Sequence, residues 1–448
     1  MDILGFLPSF GSAIFTIGAF IVALSVIVAI HEYGHYIVGR WSGIKAEVFS
    51  IGFGPVLWSR QDRHGTRWQI AALPFGGYVK FLGDSNAASA KDGETMEELS
   101  KDDLRHSMHG APLWARALTV AAGPAFNFLL SFLIFAAVAL GAGVARDPLT
   151  VERIYELPDT LPIGAALLEP GDALLAIEGK SIEDDDFADF LAARPSVSAL
   201  SYTVLRGGRE VEVTGPPLSP TRVAFVNPDS AALEAGLAEG DVILSINRQI
   251  VVRFNDMIAI VNGSQGAPIT LVVWRAGEEF EVTLSPRRRD LPLPDNSFET
   301  RWIMGVSGAY FFEPQLETPG LAEAVVFGFE RVVSFVTLTI SGLYHMITGA
   351  ISSCGVSGPI GIAQMSGTAA SQGATSFIMF IGLLSTAVGL LNLFPVPVLD
   401  GGHLVFYAYE AATGKPPSDK VLRVLMAVGL TALLALMAFA LTNDLFCP

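Results

Sequence analysis

Long apolar segments constrain this chain more than any other feature of its sequence. Four of them, at roughly 13–36, 113–144, 374–399 and 421–442, are long enough to cross a hydrocarbon core, which takes about 20 helical residues. Hydrophobic residues make up 51% of the 448 positions and charged residues 16%, whereas soluble domains carry about 25% charged residues. We therefore predict a polytopic α-helical membrane protein with four transmembrane helices.

Two of the apolar segments allow a second interpretation. The first could be a cleaved signal peptide, but it begins with Asp2 instead of a basic leader, and its apolar run exceeds the usual length of about 7–15 residues. The stretch 321–350 could be a fifth crossing. Its Glu323, Glu330 and Arg331 favour an amphipathic helix that lies at the interface.

The distribution of charge predicts the orientation of the spans. Lys and Arg cluster in the loops that join successive spans, at Arg40, Lys45, Arg105, Arg116, Lys415, Lys420 and Arg423. Residues 146–317 carry 27 acidic and 14 basic side chains, a net charge of −13. Since basic loops stay in the cytoplasm, we expect the acidic region and both termini to lie outside.

Charge and cysteine content also limit the function classes. The net charge is −16, and the short basic run Arg287, Arg288 and Arg289 is typical of a solvated linker. The sequence lacks a Lys/Arg stripe suited to phosphates, so we expect no nucleic-acid partner. Two cysteines, Cys354 and Cys447, are too few for a disulfide framework, and they leave the redox compartment open.

The acidic region contains an internal repeat. GDALLAIEGKSI at 171–182 matches GDVILSINRQIV at 240–251, and VLRGGREVEVT at 204–214 matches VWRAGEEFEVT at 273–283, both with an offset of 69. Each unit has short β-rich runs, turns and a helical stretch. Both units resemble PDZ domains, which implies two extracytoplasmic α+β modules that bind a peptide as an added strand. A pair of spacers without a ligand is the alternative.

The first apolar segment ends in HEYGH. His31 and His35 are four residues apart, so a helix presents both on one face, with Glu32 beside them. H-E-x-x-H is the helix motif in which two imidazoles bind Zn²⁺ and the glutamate serves as general base. Ionisable residues within a span cost about 2.5–3.5 kcal/mol each on insertion scales, which favours a functional role over a pair of interfacial histidines.

A catalytic zinc site takes three protein ligands and a water. Within the next 30 residues only Glu47 and His64 are spaced as further candidates, beyond the expected end of the span. The better candidate is Asp400, which follows the apolar run LLNLFPVPVL in a segment interrupted by prolines and glycines. Broken helices at membrane depth occur where they line a cavity or are buried in protein. His403 is the competing ligand from the same segment.

The two motifs, HEYGH and NLFPVPVLDGGH, resemble the signature motifs of the site-2 protease family of intramembrane zinc metalloproteases. With the tandem PDZ-like units, the chain is similar to the bacterial branch that cleaves anti-sigma factors. The resemblance implies His31, His35 and Asp400 as ligands of Zn²⁺ and Glu32 as catalytic base. It also implies that Asn392 holds the substrate near the metal. The predicted substrate contacts are Asn392, Gly52, Phe53, Gly54 and Pro397.

The resemblance also implies a biological setting. It suggests a bacterial inner-membrane protease with periplasmic PDZ units and an active site toward the cytoplasm. Its expected partners are the lipid bilayer and single-pass membrane proteins, such as anti-sigma factors after a first cleavage. The alternatives are a PDZ scaffold with a structural metal and a metal transporter, although the second and fourth spans lack the Asp, Glu and His that a transporter needs at the midplane.

The stretch 46–82 alternates apolar and polar residues between glycines, which predicts a membrane-associated β-hairpin sheet directly after the metal helix. An exposed edge at 50–60 could pair with an unwound substrate, or the sheet could only cap the site. Asn127 in the second span is expected to hydrogen-bond a neighbouring helix, with a position facing the site as second choice.

The predicted organisation is divided as follows: the first span and HExxH at 1–45, hairpin sheet at 46–82, cytoplasmic loop at 83–112, second span at 113–145, PDZ units at 146–218 and 219–290, linker and interfacial helices at 291–373, third span at 374–404, cytoplasmic loop at 405–420, and fourth span at 421–448.

Overall fold

The computed structural model describes residues 6–84, 99–161, 167–184, 186–187, 190–191, 199–227, 230–293 and 295–447. These residues form two compact units. The first takes in the chain up to Ala139, with Gly320–Tyr344 and Ser353–Cys447, and the second takes in Leu140–Pro319 and His345–Ser352. Part of the predicted loop at 83–112 and much of the helical stretch predicted in the first repeat lie outside the described residues.

Helices and strands are numbered along the described chain. The part before the acidic region contains α1 (Phe6–Trp41), β1 (Ala46–Gln61), β2 (Arg67–Phe81), α2 (Lys101–Arg105) and α3 (Leu113–Ala142). The acidic region contains β3 (Val144–Ala145), β4 (Val151–Ile154), β5 (Ala173–Ile177), β6 (Lys180–Ser181), β7 (Leu200–Arg206), β8 (Arg209–Gly215), β9 (Val223–Val226), α4 (Ala231–Glu234), β10 (Val242–Ile246), β11 (Gln249–Ile250), α5 (Phe254–Gly263), β12 (Ile269–Arg275), β13 (Glu278–Leu284), β14 (Arg287–Pro292), β15 (Phe298–Ile303), β16 (Val306–Gly308), β17 (Phe312–Pro314) and β18 (Leu316–Glu317). The rest contains α6 (Leu321–Ile347), a 3₁₀ turn (Ser353–Gly355), α7 (Pro359–Ser371), α8 (Ala374–Asn392), α9 (Asp400–Thr413) and α10 (Asp419–Phe446).

Five stretches of helix among the described residues are long and apolar enough to cross a membrane, judged by length and composition: Ala13–Trp41, Leu113–Ala142, Leu321–Ile347, Ala374–Asn392 and Lys420–Phe446. Four of them correspond to the predicted spans. The fifth is α6, in which the charged side chains of Glu323, Glu330 and Arg331 are exposed. The long apolar helices are compatible with the predicted polytopic membrane protein, and the number of four crossings stays a prediction.

Strands β1 and β2 are both bent, and they pair with each other along several stretches. Residues 46–51 lie between residues 77–81 on one side and 67–70 on the other, and residues 56–61 pair with 67–71. The predicted hairpin is therefore a small sheet in which residues 56–61 form one edge and residues 77–81 the other, among the strands that the structure describes.

Glycines allow the bend in β1. The backbone φ angles of Gly52 and Gly54 are +91° and +82°, in the left-handed region that glycine adopts without steric cost. A β carbon at Gly52 would lie 2.9 Å from the carbonyl oxygens of Ala71 and Leu73, so the close approach of the two strands also requires glycine there.

An apolar cluster fixes the sheet to its neighbouring helices. Its buried members come from α1, the sheet, the α2–α3 connection and α3: Tyr36, Ile44, Ala46, Phe49, Val79, Phe81, Met108, Ala111, Ala115 and Val120. Leu404 and Tyr407 of α9 pack against the same cluster. Because fully burying a large apolar side chain contributes about 1.5–3 kcal/mol, this packing holds the sheet beside the helical turn that carries HEYGH.

The sequence repeat is also a structural repeat. Within the second unit, two four-stranded sheets have the same strand order, β6-β5-β7-β8 and β11-β10-β12-β13. In the first, the Arg206 guanidinium donates two hydrogen bonds of 2.7 Å to the Asp172 carboxylate. In the second, Arg275 donates to Asp241 in the same way, at 2.6 and 2.7 Å. The ligand-binding class of these modules stays a prediction.

The strands that follow the second repeat return to both repeats. Strand β16 pairs with β9 of the second repeat, β17 pairs with β4 ahead of the first, and β18 pairs with β3. The stretch predicted as a linker from 291 onward therefore contains β15–β18 before α6 begins. We call the β3–β18 pair the stem, because the chain enters the second unit through β3 and leaves it through β18.

The predicted third span is interrupted. Helix α8 ends at Asn392 and α9 begins at Asp400, with the two prolines of FPVPVL between them. Residues 405–413, predicted as part of a cytoplasmic loop, instead continue α9 to Thr413. The apolar side chains of Leu404 and Tyr407, three residues apart on one helix face, explain why this segment packs as a helix.

The two cysteines form a disulfide, a pairing that their number alone does not predict. Cys354 in the 3₁₀ turn is bonded to Cys447 after α10. Nearby, the Asp444 carboxylate accepts hydrogen bonds from the backbone N–H groups of Gly358, Ile360 and Gly361 at 2.7–3.1 Å. The end of α10 is therefore tied to the start of α7.

Candidate metal centre

The HEYGH motif lies on α1, where the two histidines point to the same side. Their Nε2 atoms are 3.2 Å apart, and the ring centroids are 4.7 Å apart. His31 is buried, with 9% of its surface exposed. The spacing of four residues thus places both imidazoles at one point, as the sequence predicted.

Asp400 joins the two histidines from nearly 370 residues further along the chain. Its Oδ2 atom lies 3.2 Å from His31 Nε2 and 3.5 Å from His35 Nε2. The side chain reaches this position because α9 starts at Asp400, directly after the break. β carbons at Gly401 and Gly402 would collide with the carbonyl oxygens of the preceding loop, so the tight turn depends on these two glycines.

The three side chains fit a divalent metal ion. One ligand atom from each of His31, His35 and Asp400 lies within 4.8 Å of the others. Asp400 Oδ2 is buried and makes no hydrogen bond of good geometry among the described residues, although both imidazole nitrogens lie at ion-pair distance from it. A cation between the three side chains would compensate the charge of the carboxylate. Two imidazoles and a carboxylate, with no fourth protein ligand in this group, form the donor set of a catalytic zinc site.

Helix α3 supports the two histidines from behind. His35 Nδ1 lies 2.8 Å from the Thr119 carbonyl oxygen, and His31 Nδ1 lies 3.1 Å from Asn127 Nδ2. A β carbon at Gly123 would lie 2.8 Å from His31 Cε1 and would collide with the His35 ring. Asn127 therefore hydrogen-bonds a neighbouring helix, as expected, and because its partner is His31 it also faces the centre.

Glu32 lies between the centre and the sheet. Its side chain is partly buried, and a β carbon added at Gly77 would lie 3.2 Å from Glu32 Cγ. Residues 77–81 form the edge of the sheet on this side. Glu32 is thus next to His31 and His35 on its own helix. It is also next to the strand edge at 77–81, where a peptide could lie.

The other predicted site residues lie in different places. The Asn392 amide donates to the Val388 carbonyl at 3.1 Å, at the end of α8. Pro397 lies in the break and packs near Gly429 of α10. In the sheet, the Phe53 ring stacks on Tyr78 with centroids 6.0 Å apart. A role in substrate contact stays a prediction for all five residues: Asn392, Pro397, Phe53, Gly52 and Gly54.

His403, the competing ligand, is not a member of the group that contains Asp400. Its ring lies 6.0 Å from the Phe406 ring, edge to face. Among the described residues, the geometry therefore favours Asp400 as the third donor.

One ion pair between α3 and α9 was not predicted from the sequence. The Arg116 guanidinium on α3 donates two hydrogen bonds to the Glu410 carboxylate on α9, at 2.7 and 3.1 Å. The exposed fractions of these side chains are only 14% and 17%. The only available signal was the pair of opposite charges beside apolar segments, and no spacing rule connects positions that are 294 residues apart.

Comparisons with known proteins agree with this chemistry. Residues 19–436 match the model described as Peptidase family M50. A Rhizobium meliloti (strain 1021) protein named as a zinc metalloprotease is 36% identical over 436 residues, which cover 96% of each chain. A similarly named protein of Agrobacterium fabrum is 35% identical over 430 residues, which cover 95% of this chain and 94% of the relative. The regulator of sigma E protease of Salmonella typhimurium (strain LT2) is 31% identical over 464 aligned positions, which cover 97% of this chain and 99% of the relative.

Proposed function

Because the chain belongs to peptidase family M50 and is a zinc metalloprotease, we propose that His31, His35 and Asp400 hold its zinc ion. The observation that carries this proposal is the meeting of three ligand atoms at one point, with Asp400 Oδ2 3.2 and 3.5 Å from the two imidazole nitrogens. We further propose Glu32 as the general base, since it lies beside the two histidines on the same helix.

The proposed chemistry is hydrolysis of a peptide bond. When bound, zinc lowers the pKa of a coordinated water toward about 7 and polarises the scissile carbonyl. Glu32 would take a proton from the attacking water and pass it to the leaving amine. Its partly buried position beside Gly77 supports this role, because the carboxylate then faces a substrate that lies along the sheet edge.

The proposed substrates are transmembrane segments of single-pass membrane proteins, such as anti-sigma factors after a first cleavage. Similarity to a regulator of sigma E protease supports this class. A transmembrane helix pairs all its backbone groups internally, so the scissile bond must be exposed by unwinding. An edge of the β1–β2 sheet could pair with the unwound segment and replace the lost hydrogen bonds, with Gly52, Phe53 and Gly54 at the bend and Asn392 and Pro397 near the break.

We propose four crossings in a bacterial inner membrane, with the acidic unit on the periplasmic side. Disulfides persist in oxidising compartments and not in the cytosol, so the Cys354–Cys447 bond supports a periplasmic position for both cysteines. With residues 146–317 on that side as well, α6 would begin and end on one face of the membrane. The exposed charges of α6 support the same interfacial position.

The two repeats are proposed to act as PDZ modules that restrict access to the centre. The second contains a cavity of about 320 Å³ between α5 and the segment 301–308, lined by apolar side chains that include Phe254, Met257 and Val261. A cavity between a helix and a strand suits an extended peptide. The first repeat offers less support, since part of it lies outside the described residues.

The experiment that tests the chemistry compares purified full-length variants on a single-span model substrate. We expect Glu32→Gln to retain one zinc ion per chain and to lower the cleavage rate by about 10²–10⁴-fold. His31→Ala and Asp400→Asn should lose zinc as well as activity. The exposed Glu239 supplies a matched control, and Glu239→Gln should cleave normally.

Two results would contradict the proposal. Normal turnover by Glu32→Gln would show that another group serves as base. Full zinc content in His31→Ala or Asp400→Asn would show that the metal is bound elsewhere.

A further inference from the structure

The two proposed histidine ligands differ in what faces their outer nitrogen. His35 Nδ1 lies 2.8 Å from the Thr119 carbonyl oxygen, which can only accept a hydrogen bond. His35 must therefore carry its proton on Nδ1, which leaves a lone pair on Nε2. This backbone contact fixes the tautomer that a metal ligand requires.

His31 has no such fixed partner. Its Nδ1 atom faces the amide of Asn127 at 3.1 Å, with the amide nitrogen nearest. In this orientation the amide donates to Nδ1, the imidazole proton is on Nε2, and no lone pair remains there for a metal. A His31 that binds zinc through Nε2 requires the opposite orientation, in which the amide oxygen faces Nδ1.

The other end of the same amide shows how the conflict is resolved. Asn127 is fully buried, and its Oδ1 atom has no hydrogen-bond partner among the described residues. A half-turn of the amide exchanges an oxygen for a nitrogen of nearly the same size. It places an acceptor against His31 Nδ1 and replaces the hydrogen bond from the amide nitrogen by one from the Nδ1 proton, so the number of hydrogen bonds between the two side chains is unchanged.

The position of Asn127 is otherwise well fixed. Its carbonyl oxygen accepts hydrogen bonds from Ser131 at 2.9 Å and from Ser385 of α8 at 3.0 Å. The contact from Ser385 joins the backbone of α3 to α8. The backbone of Asn127 is thus anchored by contacts that do not depend on which way its side-chain amide faces.

We infer that Asn127 is a positioning residue that sets the tautomer of His31, by turning its amide so that Oδ1 accepts the Nδ1 proton when zinc binds. This inference rests on the proposed role of His31 as a ligand. Partners of the outer nitrogen of metal-binding histidines typically change metal affinity about 10–100-fold when they are lost. Asn127 would tune zinc affinity without touching the ion or the substrate.

The test measures zinc affinity of the purified full-length protein in detergent, by competition with a chromogenic chelator. We expect Asn127→Leu, which has similar size and no acceptor, to bind zinc about 10–100-fold more weakly than wild type. Asn127→Asp, which presents an oxygen in either orientation, should bind zinc at least as tightly as wild type. Thr431→Ala removes a hydrogen bond within α10 that involves none of the proposed ligands or Asn127, so its zinc affinity should be unchanged.

Thermal unfolding of the zinc-free proteins separates positioning from folding. We expect the zinc-free Asn127→Leu protein to unfold close to the wild-type midpoint, because the removal of an unpaired buried oxygen offsets the loss of the hydrogen bond to His31. Zinc affinity equal to wild type in Asn127→Leu, or equally weak binding by Asn127→Asp and Asn127→Leu, would overturn the inference. If Asn127→Leu binds zinc normally while His31→Ala loses zinc, only this inference fails. If His31→Ala keeps its zinc, the assignment of His31 as a ligand fails.

Discussion

At the scale of single residues, local sequence features predicted the candidate ligands His31, His35 and Asp400. They did not predict the contact that Asn127 of α3 makes with His31. Two histidines four residues apart on a helix lie on the same face whatever surrounds them. An aspartate directly after a proline-rich break in an apolar segment is unusual, and this position indicates a functional role. Asn127 gave a weaker signal, because the direction in which a side chain of α3 points depends on how α3 packs against α1. That packing is tertiary information, and a lone asparagine in an apolar segment does not contain it.

The duplicated Asp–Arg contacts allow a prediction for the pH dependence of the first repeat. Burial alone would raise the pKa of the Asp172 carboxyl, but hydrogen bonds from Arg206 outweigh it and hold the pKa below its usual value. The ionised form is therefore favoured by folding. Its contribution to stability is present above the ordinary Asp pKa of about 3.9 and is lost as the pH falls through the lower folded-state pKa.

We expect Asp172→Asn to lower the stability of the first repeat at neutral pH and to reduce its further loss in acid. Hydrogen exchange of peptides from 199–215, corrected for intrinsic rates between pH 3 and 7, measures both effects. Asp241→Asn is the matched control and should affect peptides of the second repeat. An unchanged acid profile in Asp172→Asn would show that other groups control the acid sensitivity.

At the scale of elements, local patterns predicted the helices and left distant pairings undetected. The break between α8 and α9 followed from prolines and glycines in the sequence. The strands β16, β17 and β18 were missed because they have only two or three residues each, which is too short for a periodic pattern. Their partners lie about 80–170 positions earlier in the chain.

Helix α9 carries Asp400 at its first residue and Glu410 near its end, so the contact with Arg116 fixes the direction of the whole helix. Both partners are mostly buried, and removal of one leaves the other charge without compensation, which costs about 3–5 kcal/mol. We expect Glu410→Gln and Arg116→Gln to lower the midpoint of thermal unfolding and to release zinc more readily, since Asp400 is less firmly held.

The charge-reversed pair Arg116→Glu with Glu410→Arg supplies the control. We expect it to regain most of the stability and zinc retention that either reversal alone loses, because the ion pair is restored in the opposite sense. Additive losses in the double variant would mean that the two side chains act independently. Unfolding midpoints and zinc release to a chelator, both measured in detergent, decide between these outcomes.

At the scale of the whole molecule, the apolar segments and the sequence repeat predicted a helical membrane protein with a duplicated module, and the described part of the fold has five helical stretches long and apolar enough to cross a membrane and two sheets of the same strand order. The limits of the repeat region were harder to predict. Deletion of residues 151–285, which the sequence repeat alone would suggest, removes β4 and β9 and leaves β16 and β17 without partners. The disulfide was likewise unpredictable, since two cysteines 93 positions apart pair only if the fold brings them together.

The structure therefore suggests a different deletion. Replacement of residues 147–314 by a short Gly-Ser linker keeps the stem intact, including the hydrogen bond from the Arg146 backbone N–H to the Gln315 carbonyl at 2.9 Å. If the repeats restrict access, this variant should cleave a full-length single-pass substrate that the wild type leaves uncut. Cleavage of a substrate already shortened outside the membrane should change little.

Immunoblotting of both substrates in cells measures the effect. Glu32→Gln in the deletion background shows whether any new cleavage comes from the proposed centre. Equal resistance of the full-length substrate in the wild type and the deletion variant would argue against a restricting role of the repeats.

The stem also has an evolutionary consequence. Because β3 and β18 run side by side, both ends of the intervening chain emerge at one point, the arrangement in which one domain is most easily inserted into another. During evolution, the repeat region at such a junction could be exchanged for a domain of different size or ligand, while the rest of the protease stays as it is. Proteins with the same hydrolytic apparatus could in this way come to answer unrelated signals.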